Sequence, residues 1–337
     1  MNLAAFIAEN YVSVADHIPF VGVGGIFSKM KRVQGSRNIN AVPLGISLGN
    51  LPLYSVENAT RAQRRYTDMG VVRELFSGEE ASYKAMTLET HRLALNNSKI
   101  SWDLSYTWSR SIDQDSNERS TSSSFLYDPN NPGLSEGPSD NDVPHRIVGD
   151  FTYRLPFGFV ISSIGTWRSG VPYSAGMAFT GTGTAAQSLN GLSQQTGNIP
   201  VFVDSNGSII DLPTVANNVS RAQLAEILSG ARLIGRNTER QPNVWNVDAR
   251  VAKVFGLTRG LQLELIGEVF NVLNTKNRFV GTANQIYYRA TYNATTDRYT
   301  FTRPVKTGTT TPTFGLENGY EASVDPRQFQ IAAKFRF

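Results

Sequence analysis

Lys99–Arg110 reads KISWDLSYTWSR, and its two faces are chemically unlike. Ile100, Trp102, Leu104, Tyr106 and Trp108 fall at one parity, with Ser101, Asp103, Ser105, Thr107 and Ser109 at the other. Side chains of a β-strand point alternately to opposite sides, so this segment forms a strand with one apolar and one polar face. Its length adds a second constraint. Strands of globular proteins commonly run about five or six residues, whereas a tilted strand needs about ten to cross a bilayer. The stretch therefore predicts a membrane-crossing strand.

The same pattern recurs on the C-terminal side. Ile147, Gly149, Phe151, Tyr153 and Leu155 alternate with Arg146, Val148, Asp150, Thr152 and Arg154, and Phe159, Ile161, Ser163, Gly165 and Trp167 follow after Pro156 and Gly158. Trp245, Val247, Ala249 and Val251 alternate with Asn246, Asp248, Arg250 and Ala252. Leu261, Leu263, Leu265, Gly267 and Val269 alternate with Gln262, Glu264, Ile266 and Glu268. The chain ends with Phe329, Ile331, Ala333, Phe335 and Phe337 against Gln328, Gln330, Lys334 and Arg336. Charges on one face and aromatics near segment ends suit a wet lumen and an interfacial aromatic girdle. With weaker candidates near 18–28, 30–39 and 43–49, the reading is an all-β, antiparallel transmembrane β-barrel, a partial one of about eight to ten strands.

Spacing between the segments sorts into two kinds. Leu95–Ser98, Pro156–Gly158 and Gly256–Gly260 are short links; about 111–145, 170–243 and 273–326 are long and polar, and the two kinds alternate. Short turns on the periplasmic side and long loops on the extracellular side are the habit of outer-membrane barrels. The parity places Phe337 on the short-turn side. A soluble sandwich would leave Trp102, Trp108, Trp167 and Trp245 competing for one core and has no reason to sort its loops.

Composition narrows the function classes. Hydrophobic residues make up 40% and charged residues 18% of 337, without the run of about 18 apolar residues that a spanning helix needs. There are no cysteines, which excludes disulfides, thiolate metal sites and cysteine nucleophiles. The net charge of +4 comes from Lys and Arg spread along the chain, with short clusters such as Arg61, Arg64 and Arg65, so no nucleic-acid partner is expected. Met1–Ala8 is apolar, but Glu9 and Asp16 follow it and no Lys or Arg precedes it. A secretory signal needs a positive start, so the reading expects a fragment of a longer protein.

Candidate sites are sparse. Asp113, Asp115 and Asn117 imitate the start of a calcium loop, but Glu118 and Ser124 stand where Gly and Glu are required, so a polar external loop is the reading. His17, His91 and His145 lack ligand spacing, and His145 reads as structural at the start of a strand. The stretch GTGTAAQS (181–188) lacks the Lys of a phosphate loop and reads as flexible loop. Residues 220–231 form the one helical passage, with Ser220 as cap, Gln223 completing a capping box, and Leu224, Ile227 and Leu228 as its apolar stripe. Glu264 and Glu268 alternate with lipid-facing leucines, which points them into a solvated lumen. Neither a catalytic set nor a cofactor or metal site emerges, and an enzyme is not expected.

The stretches SYKAMTLETHR (82–92), SYTWSRSIDQDS (105–116), DVPHRIVGDFTYRLPFG (142–158), GTWRSGVPYS (165–174), NVDARVAKVFGL (246–257), LELIGEVFNVLN (263–274) and PRQFQIAAKFRF (326–337) carry a family resemblance. In this order they resemble the C-terminal barrel of Oar-like TonB-dependent receptors, the type preceded by a carboxypeptidase-regulatory-like domain. The match is strong over 82–337 and weak over 1–81, so 1–337 is expected to be the C-terminal part of such a barrel, without the plug domain. The resemblance implies the outer membrane, with its lipid and lipopolysaccharide as surroundings. It also implies ligand uptake coupled to TonB through a plug domain not present here. Phe329, Ile331, Phe335 and Phe337 look like the C-terminal signal read by the barrel-assembly machinery. A surface-exposed adhesive or structural barrel without transport is the alternative, and a small porin-like barrel ranks behind it.

Overall fold

The computed structural model describes residues 20–38, 42–48, 51–55, 65–69, 72–93, 98–114, 116, 132–182, 198–257, 260–293, 295–318 and 326–337. Eight long strands form one antiparallel wall in strict chain order. They are β1 (Phe20–Asn38), β2 (Arg73–Arg92), β3 (Ile100–Asp113), β4 (His145–Arg154), β5 (Phe159–Arg168), β6 (Val244–Gly256), β7 (Gln262–Phe270) and β8 (Gln328–Arg336). Each pairs with its sequence neighbour, the topology of an up-and-down barrel wall. β1 and β8 lie at the two edges, and among the described residues they do not pair with each other.

Two N-terminal expectations need correction. The candidates at 18–28 and 30–39 are one strand, β1, with register shifts between Lys31 and Gln34. A bulge lets a strand bend without ending, which is why a break in alternation there does not mark a turn. The candidate at 43–49 is Val42–Leu48, which pairs with Leu51–Ser55 in a hairpin separate from the wall. The start of the chain, Met1–Ala8, Glu9, Asp16 and His17, lies outside the described residues, as do Arg61 and Arg64.

The registers align the apolar parities into one continuous face. Leu104 opposes Gly149, Gly149 opposes Gly165, and Gly165 opposes Val247. One row outward, Tyr106, Ile147, Trp167 and Trp245 stand in line. On β7 the usual sorting is inverted: Leu265 is 43% exposed while Glu264 is 8% exposed. Exposed leucine beside buried glutamate is stable only where the outer solvent is hydrocarbon. Aromatic rows bound this face. Trp108, Trp167 and Trp245 lie toward the long links, and Phe159, Phe255 and Phe335 toward the short turns. From Trp245 to Phe255 is ten residues, about 33 Å of strand. At a tilt near 45° that spans about 23 Å, close to the ~25 Å apolar band of such barrels.

At Pro156–Gly158 the short turn is tight because Phe157 (φ +63) and Gly158 (φ +77) both enter the left-handed region. The Leu155 N–H then closes it onto the Phe159 carbonyl at 2.8 Å. The links at 170–243 and 273–326 depart from the expected polar loops. Gly176–Thr182 runs parallel to Ile286–Asn293, which pairs with Arg298–Thr302, and Asn198–Pro200 and Val219–Ser220 complete a five-stranded sheet shared by both links. Met177, Phe202, Leu212, Leu224, Leu228, Tyr288, Tyr299 and Phe301 are buried beneath it. Short helices α1 (Leu212–Val215) and α2 (Arg221–Ile227) close this core. The result is a dome with an apolar core of its own, mounted on the extracellular rim of the wall.

The predicted helix is present but shorter than 220–231. Ser220 accepts from the Gln223 N–H and the Gln223 side chain accepts from the Ser220 N–H, a reciprocal capping box. Leu224 and Leu228 are buried, and the helix stops at Ile227, with Gly230 at φ +79 just beyond. The stretch 183–188 of the Gly-rich candidate lies outside the described residues, whereas Gly181 and Thr182 belong to a dome strand.

Candidate functional site

On the inner face of the wall the charges of the last three strands are paired. Glu264 accepts from Arg250 at 3.2 Å and from Arg336 at 2.9 Å, so β6, β7 and β8 are tied together from inside. Arg250 also faces Glu268 at 4.0 Å. Thr87 with Thr107 and Thr152 with Ser162 form hydroxyl pairs at 3.1 Å between neighbouring strands. The polar parity therefore makes a largely hydrophilic surface, interrupted by the exposed Val148 and Ile164, with Glu264 and Glu268 on the inner side as the sequence predicts. At the upper end of β7, Asn271, Asn274 and Asn277 all take positive φ. The Asn277 side chain accepts from the Trp245 N–H at 3.1 Å and donates to the Trp245 carbonyl at 2.8 Å. A side-chain amide thus continues the ladder where the backbone turns away, and Asp248 holds the Asn271 N–H at 2.8 Å.

Where the dome meets the wall, a second cluster is buried. Arg236 is 3% exposed and carries almost all of its donors onto the 111–145 link. Its Nε donates to the Ser135 carbonyl at 3.0 Å, Nη1 to the Ser116 hydroxyl at 2.8 Å, and Nη2 to the Asp113 carbonyl at 2.9 Å and to the Asp113 carboxylate. Asp140 lies 3.5 Å from Nη1. Beside it, Asn237 donates to the Pro138 carbonyl at 2.8 Å and to Asp140 at 2.6 Å. Arg240 completes the clasp through the Asp142 carboxylate at 2.5 Å, and Asp142 also accepts from the Ser111 N–H at 2.6 Å. A buried guanidinium needs this many partners, because desolvation costs more than one ion pair returns. The backbones are close enough that a Cβ on Gly170 would lie 1.7 Å from the Gln241 carbonyl.

This clasp accounts for the calcium-like Asp113. Its carboxylate is engaged by Arg236, which supplies the positive charge that a cation would; Asp115, Asn117, Glu118 and Ser124 lie outside the described residues. Among the described residues no group of three or more His, Asp or Glu could hold a metal ion. His145 has its Nδ1 2.8 Å from the Tyr106 hydroxyl and its N–H on Ser169, a strand-fastening role. Phe329, Ile331, Phe335 and Phe337 share one parity of the last strand and are all exposed. Arg236, Arg240 and Asp142 were not singled out from sequence; a lone Arg-Asn or Asp-Val carries no periodic signal, and their pairing spans about a hundred residues.

An antiparallel wall with exposed leucines outward, paired charges inward, two aromatic rows and large links at one end is a membrane-spanning β-barrel wall. The model of the family described as "Outer membrane beta barrel domain" matches residues 21–330, and the chain belongs to that family. It is accordingly a protein of the outer membrane. Among solved structures, the outer membrane transporter YddB from Escherichia coli is similar with a TM-score of 0.40 and 10% identity. That likeness covers 84% of this chain and 28% of YddB, so the chain spans little more than a quarter of that protein. Comparison with curated proteins gave no match.

Proposed function

We propose that the chain is the barrel wall and capture dome of an outer-membrane receptor that takes up a ligand by coupling to TonB, in the manner of the Oar-like receptors it resembles. The observation that carries this reading is the clasp. Arg236 and Arg240 hold a dome with its own core onto the 111–145 link, at the long-link end of a wall whose inner face carries paired charges. A folded dome fastened beside the polar side of the wall suits selective capture followed by passage. The chemistry is binding and transport, without a catalytic step. TonB would act through a plug domain, lipopolysaccharide would surround the wall, and the barrel-assembly machinery would read Phe329, Ile331, Phe335 and Phe337.

The test is to disrupt the gene in its host and compare growth on a panel of scarce nutrients, with and without a protonophore. Loss of energised growth on one nutrient, restored by the intact gene, supports receptor function and names the ligand. Unchanged growth on every nutrient together with lost cell adhesion overturns it in favour of an adhesive barrel.

A further inference from the structure

The outward face carries cations at both rims, and the two rims treat them differently. At the short-turn rim each is laid on aromatic rings. Arg92 lies 5.4 Å from the Trp102 ring, and Lys253 lies 4.3 Å from Phe159 and 5.4 Å from Phe255 while donating to the Phe157 carbonyl. At the extracellular rim, Lys84 on β2 and Arg110 on β3 are direct register partners. Both are exposed, and neither side chain has an ion pair, hydrogen bond or ring partner among the described residues. They stand one same-face step, about 7 Å, beyond the Met86–Trp108 row.

Like charges directly opposite one another destabilise a sheet, with Cβ atoms only about 4.5–5.5 Å apart. Among the described residues no carboxylate relieves this pair. The register partner of Lys84 on β1 is the uncharged Phe27, and Glu80, the next acid at the same parity of β2, lies about 13 Å along the strand. Asp113, near in sequence, sits at the opposite parity and is engaged by Arg236. Two uncompensated cations just outside a tryptophan row lie at headgroup depth of the outer leaflet, so the missing partner is an anion supplied by lipid. We propose that Lys84 and Arg110 form a bidentate site for a phosphate group of the outer-leaflet glycolipid, lipopolysaccharide. A phosphate oxygen accepting from the Lys84 ammonium and another from the Arg110 guanidinium converts the repulsion into two charge-assisted hydrogen bonds. The site rests on the reading that lipopolysaccharide surrounds the wall, and is independent of transport.

The experiment uses the full chain purified in a zwitterionic detergent, titrated with rough lipopolysaccharide and read by thermal unfolding and by retained lipid phosphate. The Lys84→Gln/Arg110→Gln variant is expected to bind at least about tenfold more weakly, the loss of two charge-assisted bonds. Lys84→Arg is expected to bind as the parent does, and so is Arg92→Gln/Lys253→Gln, altered at the opposite rim. Dephosphorylated lipopolysaccharide, phosphatidylglycerol and inorganic phosphate serve as competing probes and should each bind far less. Equal binding by the Lys84/Arg110 variant overturns the site alone. An equal loss in Arg92→Gln/Lys253→Gln, or an equal response to phosphatidylglycerol or phosphate, overturns its specificity for the glycolipid. A parent protein that binds no lipopolysaccharide overturns the surrounding-leaflet reading along with the site.

Discussion

The wall and the dome are both antiparallel in the main, both rich in alternation, and built from one chain, yet they sort their residues in opposite senses. In the dome Tyr288, Tyr299 and Phe301 are buried, with the apolar face of each strand turned inward. In the wall Leu265, Val251 and Ile331 face outward and Glu264 is buried between two arginines. Alternation therefore reports that a strand has two solvents without saying which face meets which. Strand length supplies the answer: the wall strands run from 9 to 20 residues, and the dome strands from 2 to 8.

The clasp joining the two regions is where the comparison breaks most readily. Arg236→Ala leaves the Asp113 carboxylate buried beside Asp140 without its counter-charge, at an expected cost of about 3–5 kcal/mol to dome attachment. Limited proteolysis in detergent should then cut the links at 170–243 and 273–326 while the folded wall keeps its gel mobility in unboiled samples. Protection equal to the parent would mean that the dome holds to the wall without Arg236. The apolar pair Arg236→Met/Asp113→Leu should recover most of the loss, because no stranded charge remains.

A matched pair of substitutions sharpens the difference in outer solvent. Val251 on β6 is 46% exposed and Val215 on α1 is 53% exposed, so geometry alone makes them equivalent. Val251 lies midway between the aromatic rows, and Val251→Arg should cost about 2–4 kcal/mol in a bilayer. Val215→Arg, on the aqueous surface of the dome, should fall within about 0.5 kcal/mol of the parent. Reversible unfolding in phospholipid vesicles measures both. Equal costs would remove the hydrocarbon from the outward face.

The wall was legible because its signal is local. Each strand from Lys99 onward shows its parity in about ten residues, and short and long links alternate visibly. β1 was misread as two strands because its bulge at Lys31–Gln34 shifts the parity. The dome was hidden for the opposite reason. Tyr288, Ala290 and Tyr292 do alternate, as do Tyr299 and Phe301, but over spans too short to separate a strand from a loop. The partner of Ile286–Asn293 at Gly176–Thr182 is roughly a hundred residues away and parallel, a pairing that no local pattern announces. The helix, by contrast, was readable, since a capping box lies within four residues. That local device should carry a modest share of dome stability: Ser220→Ala is expected to cost about 1 kcal/mol, seen as faster proteolysis near 221–231 with the wall unaffected. A loss confined to background would mean that Leu224 and Leu228 alone hold the helix.

The smallest expected effect concerns acid. Asp211 precedes α1, half-exposed, and burial alone would raise its carboxyl. The Thr214 hydroxyl at 2.7 Å and the Arg303 guanidinium at 2.6 Å outweigh that and hold it below the usual carboxylate range. Arg303 is itself set over the Tyr287 ring at 5.4 Å, so the pair fixes α1 against the dome sheet. A carboxyl whose folded value lies below its unfolded one, about 3.9, contributes stability that is complete above that unfolded value. The contribution is lost as pH falls through the folded value, so the window lies below about pH 4 and the dome weakens toward acid. Solvent screening of a pair this open limits the effect to less than about 1 kcal/mol. Dome unfolding followed between about pH 5 and pH 2 should therefore show a shallow acid limb that Asp211→Asn flattens. A limb equally steep in Asp211→Asn would assign the titration to another carboxylate and leave α1 held by Leu212 alone.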